Sequence, residues 1–202
     1  MNISNYNITP LFSFPLYSVK ENFINDEISE YILSLKMINN QTNFISENKN
    51  ILTTDNKFKN LYTKIKKHIN FYIKNILQID ALDIFITQSW INKNKKLNFH
   101  HDHCHPNSIL SGVIHFNDNE SQLIFQRDNH LLNYDFNIKT SNVFNCYEYN
   151  FKTEKNSLFI FPSNLKHRVT NNSSDKDRFS LSFNTFFKGT IGDKNKLTLL
   201  KI

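Results

Sequence analysis

Apolar residues recur along this chain in two different rhythms. In the first third, Ile24, Ile28, Tyr31, Ile32 and Leu35 are spaced by threes and fours, as are Leu61, Ile65, Ile69, Tyr72 and Ile76. That period places each set on one face of a helix, so the spacing predicts two amphipathic helices. Ahead of them, residues 8–19 read as an extended segment. Its Pro10 and Pro15 suit an edge strand or an irregular start, because proline has no N–H to give a ladder. The polar stretch 39–56 reads as a loop with a short strand within 44–52. From Asp83 onward the runs shorten and acquire strand character, at 84–91, 109–116, 122–126, 142–151, 158–161 and 178–187. Many short strands separated by turn-forming residues indicate a sandwich or jelly roll, mainly β with N-terminal helices.

A length of 202 residues accommodates one domain with a proper core. There is no internal repeat, and the expected organisation is a single domain, with 1–80 as helical support and 81–190 as the β core. An aromatic fraction of 14%, with 19 Phe, argues against a disordered chain. The net charge of +6 accompanies heavy use of Asn, Ile, Lys and Phe, a bias expected of an AT-rich genome. Lys64, Lys66, Lys67 and Lys74 are spread along a helix and are not interleaved with stacking aromatics, which favours a solvated face over nucleic-acid binding. The two cysteines, Cys104 and Cys146, give no disulfide framework, and no apolar run is long enough to span a membrane. A cytoplasmic protein is expected. The insert 127–142 is polar and reads as a loop near a pocket.

The chemistry concentrates in Asn98-Phe99-His100-His101-Asp102-His103-Cys104-His105-Pro106, where four of the eight histidines fall within six residues. A mononuclear iron that must also bind a co-substrate and dioxygen needs three protein ligands on one face, usually two His and a carboxylate. Residues i and i+2 of a strand share a side, so one short extended segment can supply two ligands. His167 could bring the third. Beyond it, Arg178-Phe179-Ser180-Leu181-Ser182-Phe183-Asn184 alternates sharply. Phe179, Leu181 and Phe183 would pack on a core, while Arg178, Ser180, Ser182 and Asn184 would face water or, inside a barrel, a polar pocket. Three ligand pairs are open in the first run: His103 with His105, His100 with Asp102, and His101 with His103. Asp102 would need a bulge to join His103, since neighbours in a regular strand face opposite ways. Cys104 reads as a packed side chain turned away from its flanking histidines. The isolated His68, His115 and His130 read as ordinary surface or core residues, and Ser182 and Asn184 as structural.

These residues resemble the iron(II)- and 2-oxoglutarate-dependent oxygenases, and among them the small oxygenases of marine phages and bacteria. The matching stretches are Ser89-Trp90-Ile91-Asn92, His103-Cys104-His105-Pro106-Asn107-Ser108-Ile109-Leu110-Ser111-Gly112-Val113, Phe161-Pro162-Ser163-Asn164-Leu165-Lys166-His167, and Arg178-Phe179-Ser180 with Phe183-Asn184. The resemblance implies a double-stranded β-helix, cupin-like and buttressed by the two helices. It implies His103 and His167 as iron ligands and His105 as the third, where most of the superfamily has a carboxylate; Asp102 is the alternative to His105. It further implies that Arg178 grips the distal carboxylate of 2-oxoglutarate with its rigid fork of donors, helped by Ser180. The activity implied is that of a dioxygenase, hydroxylating an unspecified substrate with dioxygen and releasing succinate and CO2. The competing reading is a jelly-roll binding or structural module whose histidines hold zinc. Arg178 separates the two, because a structural zinc has no use for an arginine in its pocket.

Overall fold

The structure is a computed structural model and describes residues 7–79, 83–127 and 137–202. In chain order the elements are β1 (Tyr17–Lys20), α1 (Asp26–Ser34), β2 (Met37–Asn40), β3 (Asn43–Ser46), α2 (Ile51–Thr54) and α3 (Lys59–Phe71), which runs on as a π-helical turn, Tyr72–Ile76. Then follow β4 (Asp83–Asn94), β5 (His100–His103), β6 (Leu110–His115), β7 (Asn119–Gln126), β8 (Glu148–Thr153), β9 (Ser157–Pro162), β10 (His167–Val169) and β11 (Arg178–Lys188), with a small terminal pair β12 (Thr190–Ile191) and β13 (Leu200–Lys201). The larger sheet has the order β1-β9-β6-β11-β4-β3-β2 and the smaller β5-β10-β7-β8. Pairing is antiparallel throughout both. This is the expected jelly roll with a few helices.

The two rhythms of the sequence become two packing layers. Asn25 caps α1 by accepting from the Ile28 N–H at 2.9 Å, and Asp26 and Glu27 favour its N-terminal dipole. Ile28 and Ile32 of α1 and Leu61, Ile65 and Ile69 of α3 are buried in one cluster with Ile84, Ile91, Leu181 and Phe183 of the larger sheet. The helices therefore cover that sheet's outer face. A second, smaller cluster of Val113, Leu123, Phe125, Phe159 and Phe161 joins the two sheets. On β11 the predicted split is realised: Phe179, Leu181 and Phe183 enter the helix-side core, while Arg178, Ser180 and Ser182 line a cavity between the sheets.

Several expectations require correction. The stretch 39–56 is not a loop with one strand: β2 and β3 form a hairpin closed by Asn40 Nδ2 donating to Asn43 Oδ1 at 3.0 Å, and α2 follows. Polar residues are tolerated there because β2 is the sheet's edge and has one partner only. The strand expected at 142–151 starts at Glu148, residues 142–146 forming a turn in which the Cys146 N–H donates to the Asn142 carbonyl. Of the extended segment 8–19 only the end joins a strand, β1, which lies at an edge as its prolines suggested. The strand β10 was not anticipated. Of the insert 127–142, residues 128–136, with His130, lie outside the described residues.

Candidate metal centre

Strands β5 and β10 run side by side, with His103 opposite His167 and His100 opposite Val169. Three steps along β5 thus match two steps along β10, a bulge that breaks strict alternation and turns both His100 and His103 toward the cavity. His105 lies just past the end of β5, where its N–H donates to the Ser163 carbonyl at 2.8 Å. The outcome is that His103, His105 and His167 each present a ring nitrogen within 4.8 Å of the others.

The hydrogen bonds select which nitrogen faces inward. His103 Nδ1 donates to the His101 carbonyl and His167 Nδ1 to the Leu165 carbonyl, both at 2.8 Å. Each Nε2 is left with a free lone pair, the arrangement that orients imidazoles on a metal. His105 Nε2 and His167 Nε2 stand 3.2 Å apart. Two nitrogens bound at right angles to one ion, with bonds of about 2.1 Å, would sit about 3 Å apart, so the donor set fits a divalent transition metal. Burial pushes His105 down to about 4, aided by His103, and holds His103 and His167 below the ordinary histidine range. All three rings are therefore neutral near pH 7, as ligation requires.

Asp102 is placed elsewhere. Its carboxylate is 3.6 Å from Arg168 on the outer face, beside Glu148, whose two oxygens take the Arg168 fork at 2.6 and 3.0 Å. His101 is exposed, so of the three candidate pairs only His103 with His105 converges with His167. Cys104 is exposed, not packed; the backbone alternation that turns it from the histidines leads it to solvent.

At the cavity's other wall lies Arg178, only 2% exposed. Its one hydrogen bond among the described residues is Nη1 to the Thr170 carbonyl at 3.1 Å. The neighbouring Asp177 pairs with Lys93 at 3.0 Å, and no carboxylate lines the cavity among the described residues. Burial without an anion pulls Arg178 down to about 10. Ser180, one strand alternation further on, accepts weakly from Asn92 Nδ2 at 3.4 Å, which leaves its hydroxyl proton available. Ser182 lines the same wall and accepts from Asn92 at 2.9 Å, whereas Asn184 accepts from Ser111.

Residues 88–184 match the protein family described as "Putative 2OG-Fe(II) oxygenase". That match spans just under half of the chain. Together with the histidine cluster it indicates a 2OG-Fe(II) oxygenase, an oxidoreductase that depends on Fe(II) and 2-oxoglutarate. Solved oxygenases share the fold at low identity. A 2OG-Fe(II) oxygenase family oxidoreductase from Burkholderia pseudomallei has a TM-score of 0.58 and 11% identity over 84% of this chain and 83% of its own. HygX from Streptomyces hygroscopicus, with nickel and 2-oxoglutarate bound, has 0.58 and 5% over 84% and 82%. A prolyl-4-hydroxylase from Pseudomonas putida has 0.55 and 13% over 87% and 92%. No curated protein matches the sequence. No described helix is long and apolar enough to cross a membrane.

Two further histidines line this cavity: His100, which the sequence offered as a ligand beside Asp102, and His115. His100 stacks on His103 with ring centroids 4.4 Å apart, and burial together with its histidine neighbours pushes it down to about 3. His115, expected to be an ordinary core or surface residue, also lines the cavity. Its place on an apolar strand carried no local signal; only its neighbours across the sheet make it notable. His68, in contrast, is structural as expected, bonded to Tyr17 and Glu21 at 2.8 Å each.

Proposed function

We propose that His103, His105 and His167 hold the iron, and that 2-oxoglutarate lies between it and Arg178, with Ser180 adding a hydrogen bond to the far carboxylate. The observation that carries this reading is the buried, anion-free Arg178 facing the same cavity as the histidine cluster. An unpaired buried cation is costly, and a carboxylate that arrives with a ligand relieves it. A planar guanidinium meets that carboxylate through two parallel charge-assisted bonds.

Iron and 2-oxoglutarate together supply the activation of dioxygen, with release of succinate and CO2. The chain's own share is to bind, orient and exclude water. Trp90 Nε1 donates to Asn92 Oδ1 at 3.1 Å, and Asn92 in turn donates to Ser182 and Ser180, so this wall is pre-set before any ligand arrives. The substrate hydroxylated is unspecified. We read the chain as one domain in which 1–80 supports 81–190, acting in the cytoplasm and not on nucleic acid. The His103-Cys104-His105-Pro106 run supports a place among the small oxygenases of marine phages and bacteria, and two free cysteines suit a reducing compartment.

The test is anaerobic titration of the iron-loaded protein with 2-oxoglutarate, following the weak visible charge-transfer band of a keto acid chelating ferrous iron. A band lost in His103→Ala, His105→Ala and Arg178→Ala but kept in Asp102→Ala supports the assignment. Loss in Asp102→Ala with retention in His105→Ala would move the third ligand to Asp102. No band in the unaltered protein, with zinc retained stoichiometrically, would sink the reading in favour of a zinc site.

A further inference from the structure

His115 is 1% exposed, and among the described residues neither of its ring nitrogens has a hydrogen-bond partner. A buried polar side chain without a partner is rare and expensive, so each instance calls for a physical reason. Ordinary core packing does not supply one here, because a leucine would fill the same space at lower cost. The ring lines the cavity that also holds the histidine cluster and Arg178. On the larger sheet it lies directly across from Ser180, the residue already placed near the far carboxylate. Arg178 is close enough to bias its charge, whereas from the β9 side the ring meets the edge of Phe159 at 6.1 Å. Its unused donor thus sits in the neighbourhood of an unused cation and an unused hydroxyl proton, and among the described residues no acidic side chain lines the cavity to compete for them.

We propose that His115 is a co-substrate-binding residue that donates a ring N–H to the far carboxylate of the oxoacid, beside Arg178. The inference rests on the oxygenase reading above and extends it to a residue that lies outside the sequence motifs carrying the resemblance. Burial and the nearby guanidinium keep the imidazole neutral, pushing it down to about 3. A neutral imidazole has one N–H to give, and the carboxylate is the group that can receive it. The consequence is selectivity. A keto acid that lacks the far carboxylate makes the same chelate at the metal but cannot use Arg178, Ser180 or His115.

The experiment compares 2-oxoglutarate with pyruvate, titrated anaerobically into iron-loaded wild type, His115→Leu and His115→Gln, with Kd read from the charge-transfer band and folding checked by circular dichroism. His115→Leu weakens 2-oxoglutarate by about tenfold or more while leaving pyruvate unchanged, and His115→Gln, which keeps an N–H donor, recovers much of the loss. Equal 2-oxoglutarate affinity in wild type and folded His115→Leu would overturn the assignment and leave the oxygenase reading standing. A parallel loss of both keto acids would also overturn it, since it would show general damage to the site. A wild type that binds neither keto acid would overturn the oxygenase reading itself, and this inference with it.

Discussion

His103 of β5 and His167 of β10 are direct partners across an antiparallel pair, with ring centroids 4.3 Å apart although 64 residues separate them in the chain. Backbone pairing therefore brings two of the three candidate ligands together, and each ring is oriented by a backbone carbonyl within its own strand region. The cluster is pre-organised, so a metal has little ordering left to impose.

Metal content should follow that geometry. Alanine at His103, His105 or His167 is expected to abolish stoichiometric iron binding measured by elemental analysis, while Asp102→Asn leaves it intact. In wild type, Fe(II) or Mn(II) at about a hundredfold above Kd should stabilise the fold by about 2.7 kcal/mol, read as a rise in Tm that chelator reverses.

Arg178→Lys keeps the charge and loses the fork. A lysine cannot make two parallel hydrogen bonds to one carboxylate. The expected result is a Kd for 2-oxoglutarate raised by roughly 10- to 100-fold with metal content unchanged. An unaltered Kd in that variant would show that Arg178 is not the carboxylate anchor.

Acid sensitivity follows from the buried rings. His115 and His100 are pushed down to about 3 in the folded chain and His105 to about 4, against about 6.5 when unfolded. Below about pH 6.5 the unfolded chain takes up protons that the folded chain refuses. Their contribution is thus full above that pH and is lost progressively as pH falls toward the folded values. The urea midpoint of metal-free protein should drop between pH 7 and pH 5, and drop less steeply in His115→Gln.

Gly112 marks a close approach of β6 to β11. A Cβ there would lie 2.3 Å from the Phe183 ring and 2.8 Å from the Phe159 carbonyl oxygen. Phe183 is fully buried and cannot swing aside. Gly112→Ala should cost about 1–3 kcal/mol by overpacking, lowering Tm by roughly 2–12 °C in a chain of this size. Differential scanning calorimetry measures it directly.

Much of this was written locally. The 3.6-residue period of Ile28, Ile32, Leu61, Ile65 and Ile69 determined two helices and the faces they bury, and the alternation of Arg178 through Phe183 determined which side chains enter the core and which enter the cavity, because both depend only on neighbours a few residues away. The His-x-His-Pro run and the distant Arg-x-Ser announced the chemistry for the same reason. Whether Asp102 or His105 would stand beside His103 was left open, and His115 read as an ordinary surface or core residue. Those matters depended on the bulge that pairs β5 with β10 and on the register that sets His115 across from Ser180. Register is a long-range property, determined by which strands meet and where they slip by a residue, so tertiary structure alone decided that Asp102 turns outward to Arg168 while an inconspicuous histidine turns in toward Arg178.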